Sequence, residues 1–195
     1  MRRSTPSSRP GIETSTMKIL KGFLFTLLAL VVVFVAVGYF LPKDYDLERS
    51  VVIHAAPAQI HVYVGDLAQW DKWMPWKEAD PSIKVKLSEK TKGVGAHQSW
   101  TGKDGRGELT FTASDPQKGI EYDMAFIMDD DTRAESHCVT RYEKVDGGTK
   151  VTWSMKGTMP GAVIGGWFAM MMDSMAGKDF DKGLAKLKAL AETTK

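Results

Sequence analysis

The chain is poor in the residues that carry most catalytic and metal chemistry. Of its 195 residues one is a cysteine, Cys138, and four are histidines. A single thiol excludes an internal disulfide and a cysteine-based zinc site. His54, His61, His97 and His137 form neither an HxxxH nor an HExxH spacing, so each reads as an exposed or structural side chain. No serine stands in a GxSxG elbow, and the stretch 102–107 (GKDGRG) lacks phosphate-cradle spacing and reads as a loop between strands. Asp129, Asp130 and Asp131 lack the calcium-loop pattern and read as a turn. An excess of one charge is missing too. Taking Arg2, Arg3, Arg9, Lys18, Lys21 and Glu13 out of the 26 basic and 24 acidic residues leaves 21 and 23 from Pro42 onward. That balance offers no footprint for nucleic acid. Neither a metal, a cofactor nor a nucleic-acid partner is expected.

What is present begins with a hydrophobic run. Residues 1–17, rich in Ser, Thr, Pro and Arg, read as a disordered cytoplasmic tail, with Met17 as a second candidate start. Residues 22–41 then contain no charge. Twenty helical residues reach about 30 Å, a bilayer's hydrocarbon thickness, so residues 18–41 are expected to form one transmembrane helix. A cleaved signal peptide is the competing reading, since Ala36-Val37-Gly38 has a small-x-small pattern. The run continues past it to Tyr39, Phe40 and Leu41, and an aromatic pair suits a membrane interface. Basic residues gather before the run. The positive-inside rule places the amino terminus in the cytoplasm and the rest on the extracytoplasmic, periplasmic side of the inner membrane.

A composition of 43% apolar and 26% charged residues suits one globular domain, expected over residues 45–195. Residues 46–53 read as a strand, and Pro57 suits the first turn of a short helix. A second short helical piece carries Trp70, Trp73 and Trp76, three apart, which read as packing or as a gate. From Ile83 to Met155 apolar and polar residues alternate between Gly, Asp and Pro turns, which predicts six antiparallel strands with one wet face. The inward positions named by this alternation include Trp100, Tyr122, Met124, Phe126, Cys138, Trp153 and Met155. Small residues at Ala134, Ser136 and Cys138 facing bulky ones suggest a cavity. These positions offer hydroxyls and a thiol but no carboxylate or histidine, which disfavours acid/base catalysis there.

Residues 161–190 complete the chain as a long amphipathic helix that covers the sheet. Phe168, Met171, Met172 and Met175, then Phe180, Leu184 and Leu187, recur at three- and four-residue steps and are read as one face. The Met-rich half is expected to form a pocket wall, because Met adapts to irregular partners. Gly161, Gly165 and Gly166 are expected to let that end move.

Five stretches together resemble the START-like (SRPBCC) superfamily of polyketide cyclases/dehydrases and lipid transport proteins. They are residues 48–53 with Ala56-Pro57, the Trp70-x-x-Trp73-x-Pro75-Trp76 run, residues 93–100, residues 148–153, and Gly177-x-x-Phe180-x-x-Gly183-Leu184-x-x-Leu187-Lys188. The resemblance implies an α+β helix-grip fold: a curved antiparallel sheet of about seven strands around a long carboxy-terminal helix, with two short helices after strand 1. It further implies a lipid or other hydrophobic small molecule bound between sheet and helix. Trp73, Trp76, Trp100, Tyr122, Met124, Phe126, Cys138, Trp153, Met155, Phe168, Met171, Met172 and Met175 are the expected lining. A cyclase or dehydratase, or a tethered interaction domain without ligand, are the alternatives.

Overall fold

The structure is a computed structural model that describes residues 12–103 and 105–193, with side chains from Met17 onward. The first element, α1 (Ile12–Phe40), is already helical from Ile12, ahead of the expected transmembrane boundary at residue 18. The remainder of the expected tail lies outside the described residues. Within α1 the segment Met17–Phe40 carries no charge after Lys21, has a mean hydropathy of 2.7 and is almost wholly uncovered by the rest of the protein. A helix apolar all round and uncovered by protein finds its solvent in lipid or is a leader segment.

Strand β1 (Asp44–Ile53) is followed by α2 (Pro57–Val64), a 3-10 turn (Leu67–Lys72) and α3 (Trp76–Ala79). Then come β2 (Lys84–Leu87), β3 (His97–Gly102), β4 (Gly105–Asp115), β5 (Gly119–Ile127), β6 (Arg133–Val145), β7 (Gly148–Thr158) and the long α4 (Ile164–Thr193). The seven strands form one antiparallel sheet in the order β1-β7-β6-β5-β4-β3-β2. Short turns hold the register. At Gly119 (φ 115°) any side chain would collide with the Thr140 carbonyl, so the β4–β5 turn requires glycine. Residues 105–107, expected in a loop, already belong to β4.

Alternation works as anticipated. Arg133, Glu135, His137 and Arg141 point outward from β6, while Ala134, Ser136, Cys138, Thr140 and Tyr142 point inward. The centre of the inner face is closely packed aromatic core. Trp73 and Trp153 meet at 5.6 Å, and Phe180 of α4 stacks on Trp153 with centroids 3.7 Å apart. The indole N–H of Trp153 donates to the Tyr122 hydroxyl at 3.1 Å, so a buried polar pair is satisfied inside an apolar layer. Burial drives the Tyr122 phenol well above its ordinary pKa, and pushes the nearby Cys138 thiol up to about 12.

Candidate functional site

Strand register arranges the inner face in rows across the sheet. The row Phe111–Tyr122–Cys138–Met155–Leu47 lies beneath the middle of α4 and is buried throughout. The next row runs Gln98–Leu109–Met124–Ser136–Gly157–Tyr45, and beyond it come Trp100, Gly107, Phe126 and Ala134. Here packing loosens: Met124, Phe126 and Trp100 are only half-buried. The loosening sits at one end of the sheet, where Asp44 pairs with Thr158 and the Met159 N–H donates to the Lys43 carbonyl at 2.9 Å. That end is the one next to the carboxy terminus of α1.

An open depression of about 840 Å³ occupies this end, lined by Leu109, Met124, Ser136, Gly157, Met159 and Pro160 among others. Its lining also includes Glu108, Asp123, Arg133, Glu135, His137 and Lys156. Those residues alternate with the inner ones along the same strands and therefore face outward. With Thr110, Ala125 and Thr158 they make nine outward-facing residues of the fifteen that line it, so the depression lies mainly on the outer face of the sheet. The inner face at this end is apolar with one polar feature. Tyr45 Oη and Ser136 Oγ are hydrogen-bonded at 2.6 Å, both residues being buried. Gly157 makes the pair possible, because a side chain there would strike the Tyr45 ring. Burial raises the Tyr45 pKa despite the opposing hydrogen bond from Ser136, so the phenol stays protonated.

Of the expected lining, Met124 alone borders this depression. Trp73, Tyr122, Cys138 and Trp153 are each 1% exposed, and Met155 is 6% exposed. They fill the core instead of bounding a space. Trp70 and Trp73 are anchored by their indole N–H groups to the carbonyls of Val64 (2.9 Å) and Tyr63 (3.3 Å), as packing and not as a gate. Trp76 and Trp100 face each other at 6.2 Å, half-buried, at the loosely packed end.

The largest departure lies on α4. Its inward stripe runs Gly165, Ala169, Met172, Ala176, Phe180, Leu184, Leu187 and Ala191. Phe168, Met171 and Met175 lie outside it, 46%, 51% and 52% exposed. Helical phase explains the error. The step from Met175 to Phe180 is five residues, which turns a helix by about 500°, or about 140° off the face. Only Met172 of the four keeps phase with the core. Gly165 and Gly166 are both buried, and side chains there would meet the Met159 carbonyl at 2.8 Å and Leu41 Cβ at 2.5 Å. They permit close packing, where the sequence suggested motion.

Sequence reasoning also missed Arg49. It sits on the inner side of β1, opposite Trp153, and reaches α4, pairing with Asp173 at 2.7 Å and Asp181 at 3.5 Å. The hydrogen bond to Asp173, above all, raises the arginine's pKa further. Gly177 leaves room for the guanidinium to cross the helix. The histidines behave as expected of structural groups. His61 lies between Tyr142 Oη (3.3 Å) and Ser114 Oγ (3.2 Å), while His137 meets Asp123 at 2.8 Å on the outer face. Among the described residues no cluster of His, Cys, Asp or Glu could hold a metal.

The profile of the family described as polyketide cyclase/dehydrase and lipid transport matches residues 45–192. No curated protein matches the chain in sequence. Solved structures similar to it include a protein of Rhizobium leguminosarum, with a TM-score of 0.58 at 15% identity over 77% of this chain and 95% of that one. A Chromobacterium violaceum protein gives 0.56 at 17% identity over 75% and 96%. The Aha1 dimer of Colwellia psychrerythraea gives 0.54 at 17% identity over 77% and 98%. At such identities the likeness is one of fold.

Proposed function

The chain belongs to the polyketide cyclase/dehydrase and lipid transport family, and from that premise we propose that it is a membrane-tethered binding module for a lipid or other hydrophobic small molecule. The observation that carries this reading is the place where core packing fails. The inner face is closely packed at its centre and loosens at the end next to α1, where Trp100, Met124 and Phe126 are only half-buried beside the buried Tyr45–Ser136 pair. The ligand occupies a recess at that end, its chain on Met124 and Phe126 and any hydroxyl or carbonyl on the Tyr45–Ser136 pair. Anchorage by Met17–Phe40 puts the recess within reach of lipid. Lys18 and Lys21 before the span orient the domain to the extracytoplasmic side.

Binding without turnover fits the chemistry of the interior. A general acid/base needs a pKa near the working pH. Tyr45, Tyr122 and Cys138, the titratable groups nearest the recess on the inner face, are all raised by burial and stay protonated. Native mass spectrometry of the full chain released from nanodiscs tests the reading. A co-purifying lipophile is expected with the wild type and is lost on Ser136→Phe, which fills the recess. An empty wild-type protein that also takes up no added fluorescent fatty acid would leave a filled-core interaction domain as the better account.

A further inference from the structure

The exposed Met face of α4 stands beside the apolar helix at the other end of the chain. Trp167, in the first turn of α4, stacks on Phe34 of α1 with ring centroids 4.9 Å apart and planes 1° from parallel. Phe34 is six residues, about 9 Å of helix, inside the end of the span. The contact is close because both helices present glycine. A side chain at Gly38 would meet Trp167 Nε1 at 2.5 Å, and one at Gly166 would meet Leu41 Cβ at 2.5 Å. The indole N–H of Trp167 is buried here without a protein hydrogen-bond partner among the described residues. The first turns of α4 therefore lie level with the last turns of α1.

Three further observations concern what surrounds those turns. Residues 157–172, from Gly157 to Met172, contain no charge. Ile164, Phe168, Met171 and Met175 fall within about 60° of one another on the helix at about 100° per residue. All four are exposed, at 56%, 46%, 51% and 52%. A contiguous apolar stripe of this kind on a soluble surface marks an interaction site. The charged partner of Arg49, Asp173, is half a turn away, on the side facing β1.

We propose that the α4 face formed by Ile164, Phe168, Met171 and Met175 lies on the bilayer that α1 crosses, seating the domain with the loosely packed end of its sheet at the lipid surface. The occupant of the face is lipid acyl chain at the headgroup boundary, where Trp and apolar side chains partition well. A second copy of the chain would need a face without this continuity to the span. Lys178, just past the stripe, can extend its ammonium toward lipid phosphates. The domain is thus docked and does not swing on the short link after Phe40. This inference rests on α1 being a retained anchor and adds to that reading the orientation of the site.

Site-directed nitroxide labelling of the full chain in anionic lipid nanodiscs tests it. Cys138 is 1% exposed with its thiol pushed up to about 12, so it stays silent toward the label. Single Phe168→Cys, Met171→Cys and Met175→Cys variants are compared with Glu135→Cys on the outer sheet face and Ala185→Cys on the far part of α4. The expected result is preferential collision with oxygen over a water-soluble nickel chelate at the three stripe positions, and the reverse at both controls. A label at Val31 reads the anchor alone. Nickel-accessible stripe positions with an oxygen-accessible Val31 would overturn the docking and leave the anchor intact. A nickel-accessible Val31 would overturn both. Dipolar broadening between stripe labels in nanodiscs loaded with two copies would overturn it in favour of self-association.

Discussion

The two halves of α4 are one continuous helix with opposite relations to the rest of the molecule. From Phe180 to Ala191 the helix is amphipathic in the ordinary sense, with charges outside and Phe180, Leu184 and Leu187 buried at 4%, 3% and 0% exposure. From Ile164 to Met175 it is richer in large apolar groups yet buries fewer of them, and its inward stripe is mostly Gly and Ala. Apolar content alone therefore does not identify the buried half. Phase relative to the sheet does.

The comparison makes graded demands on substitution. Phe180→Ala removes the ring stacked on Trp153 and should cost about 3–5 kcal/mol, read by denaturant unfolding of the full chain in micelles. A loss below that of an ordinary surface change would break the assignment of this half as core. Gly38→Leu wedges α1 away from Trp167 and should cost about 1–3 kcal/mol by overpacking. The indole NMR signal of Trp167 should shift while that of Trp153 stays in place. A shift in both would mean that the two halves are coupled more tightly than their packing suggests. Arg49→Gln cuts ties to Asp173 and Asp181, one in each half. Its side chain is 28% exposed, so the loss should be small and should shrink as salt screens the wild-type pairs. Met171→Ala and Met175→Ala should change unfolding stability in micelles by no more than about 0.5 kcal/mol, because both side chains are 51–52% exposed and lie outside the inward stripe. A destabilisation on the scale of Phe180→Ala would return the Met cluster to the core.

A pH series separates a different pair of regions, the recess end and the opposite end near α2. His61, between Ser114 and Tyr142, has its pKa lowered from 6.5, chiefly by burial and against the pull of Asp115. The unfolded chain then binds a proton at pH values where the folded chain does not. Stability should fall as pH drops through 6.5 and below, and His61→Gln should flatten that fall. Cys138 works in the other direction. Its thiol is held protonated up to about 12, so stability should fall as pH rises above its ordinary value of 9.0.

Most of the fold was legible because the responsible patterns are local. Period-two alternation marked the inward residues of β6, and glycine and aspartate turns marked the hairpins. An unbroken apolar run marked α1. The site was far less legible. Tyr122, Cys138 and Trp153 were correctly placed on the inner face, but alternation says which side a residue takes and not whether that side is filled at that point. Ser136 met Tyr45 through a register that spans 91 residues of sequence, which no local pattern reports. Met159 and Pro160 border the depression only because β7 ends beside the exit of α1. Gly38 was read as a small residue near a possible cleavage site, and its role against Trp167 depends on a contact between the two ends of the chain.

By itself the sequence determined the elements, their order, the wet and dry faces of the sheet, and a terminal apolar helix long enough to cross a bilayer, since each follows from the period or length of a continuous stretch. The tertiary structure alone decided the rotational phase of α4, the place where the core opens, and the pairing of Arg49 with two aspartates. These depend on which surfaces meet. An apolar side chain looks the same in sequence whether it faces a protein core or a membrane, and only the neighbouring elements distinguish the two.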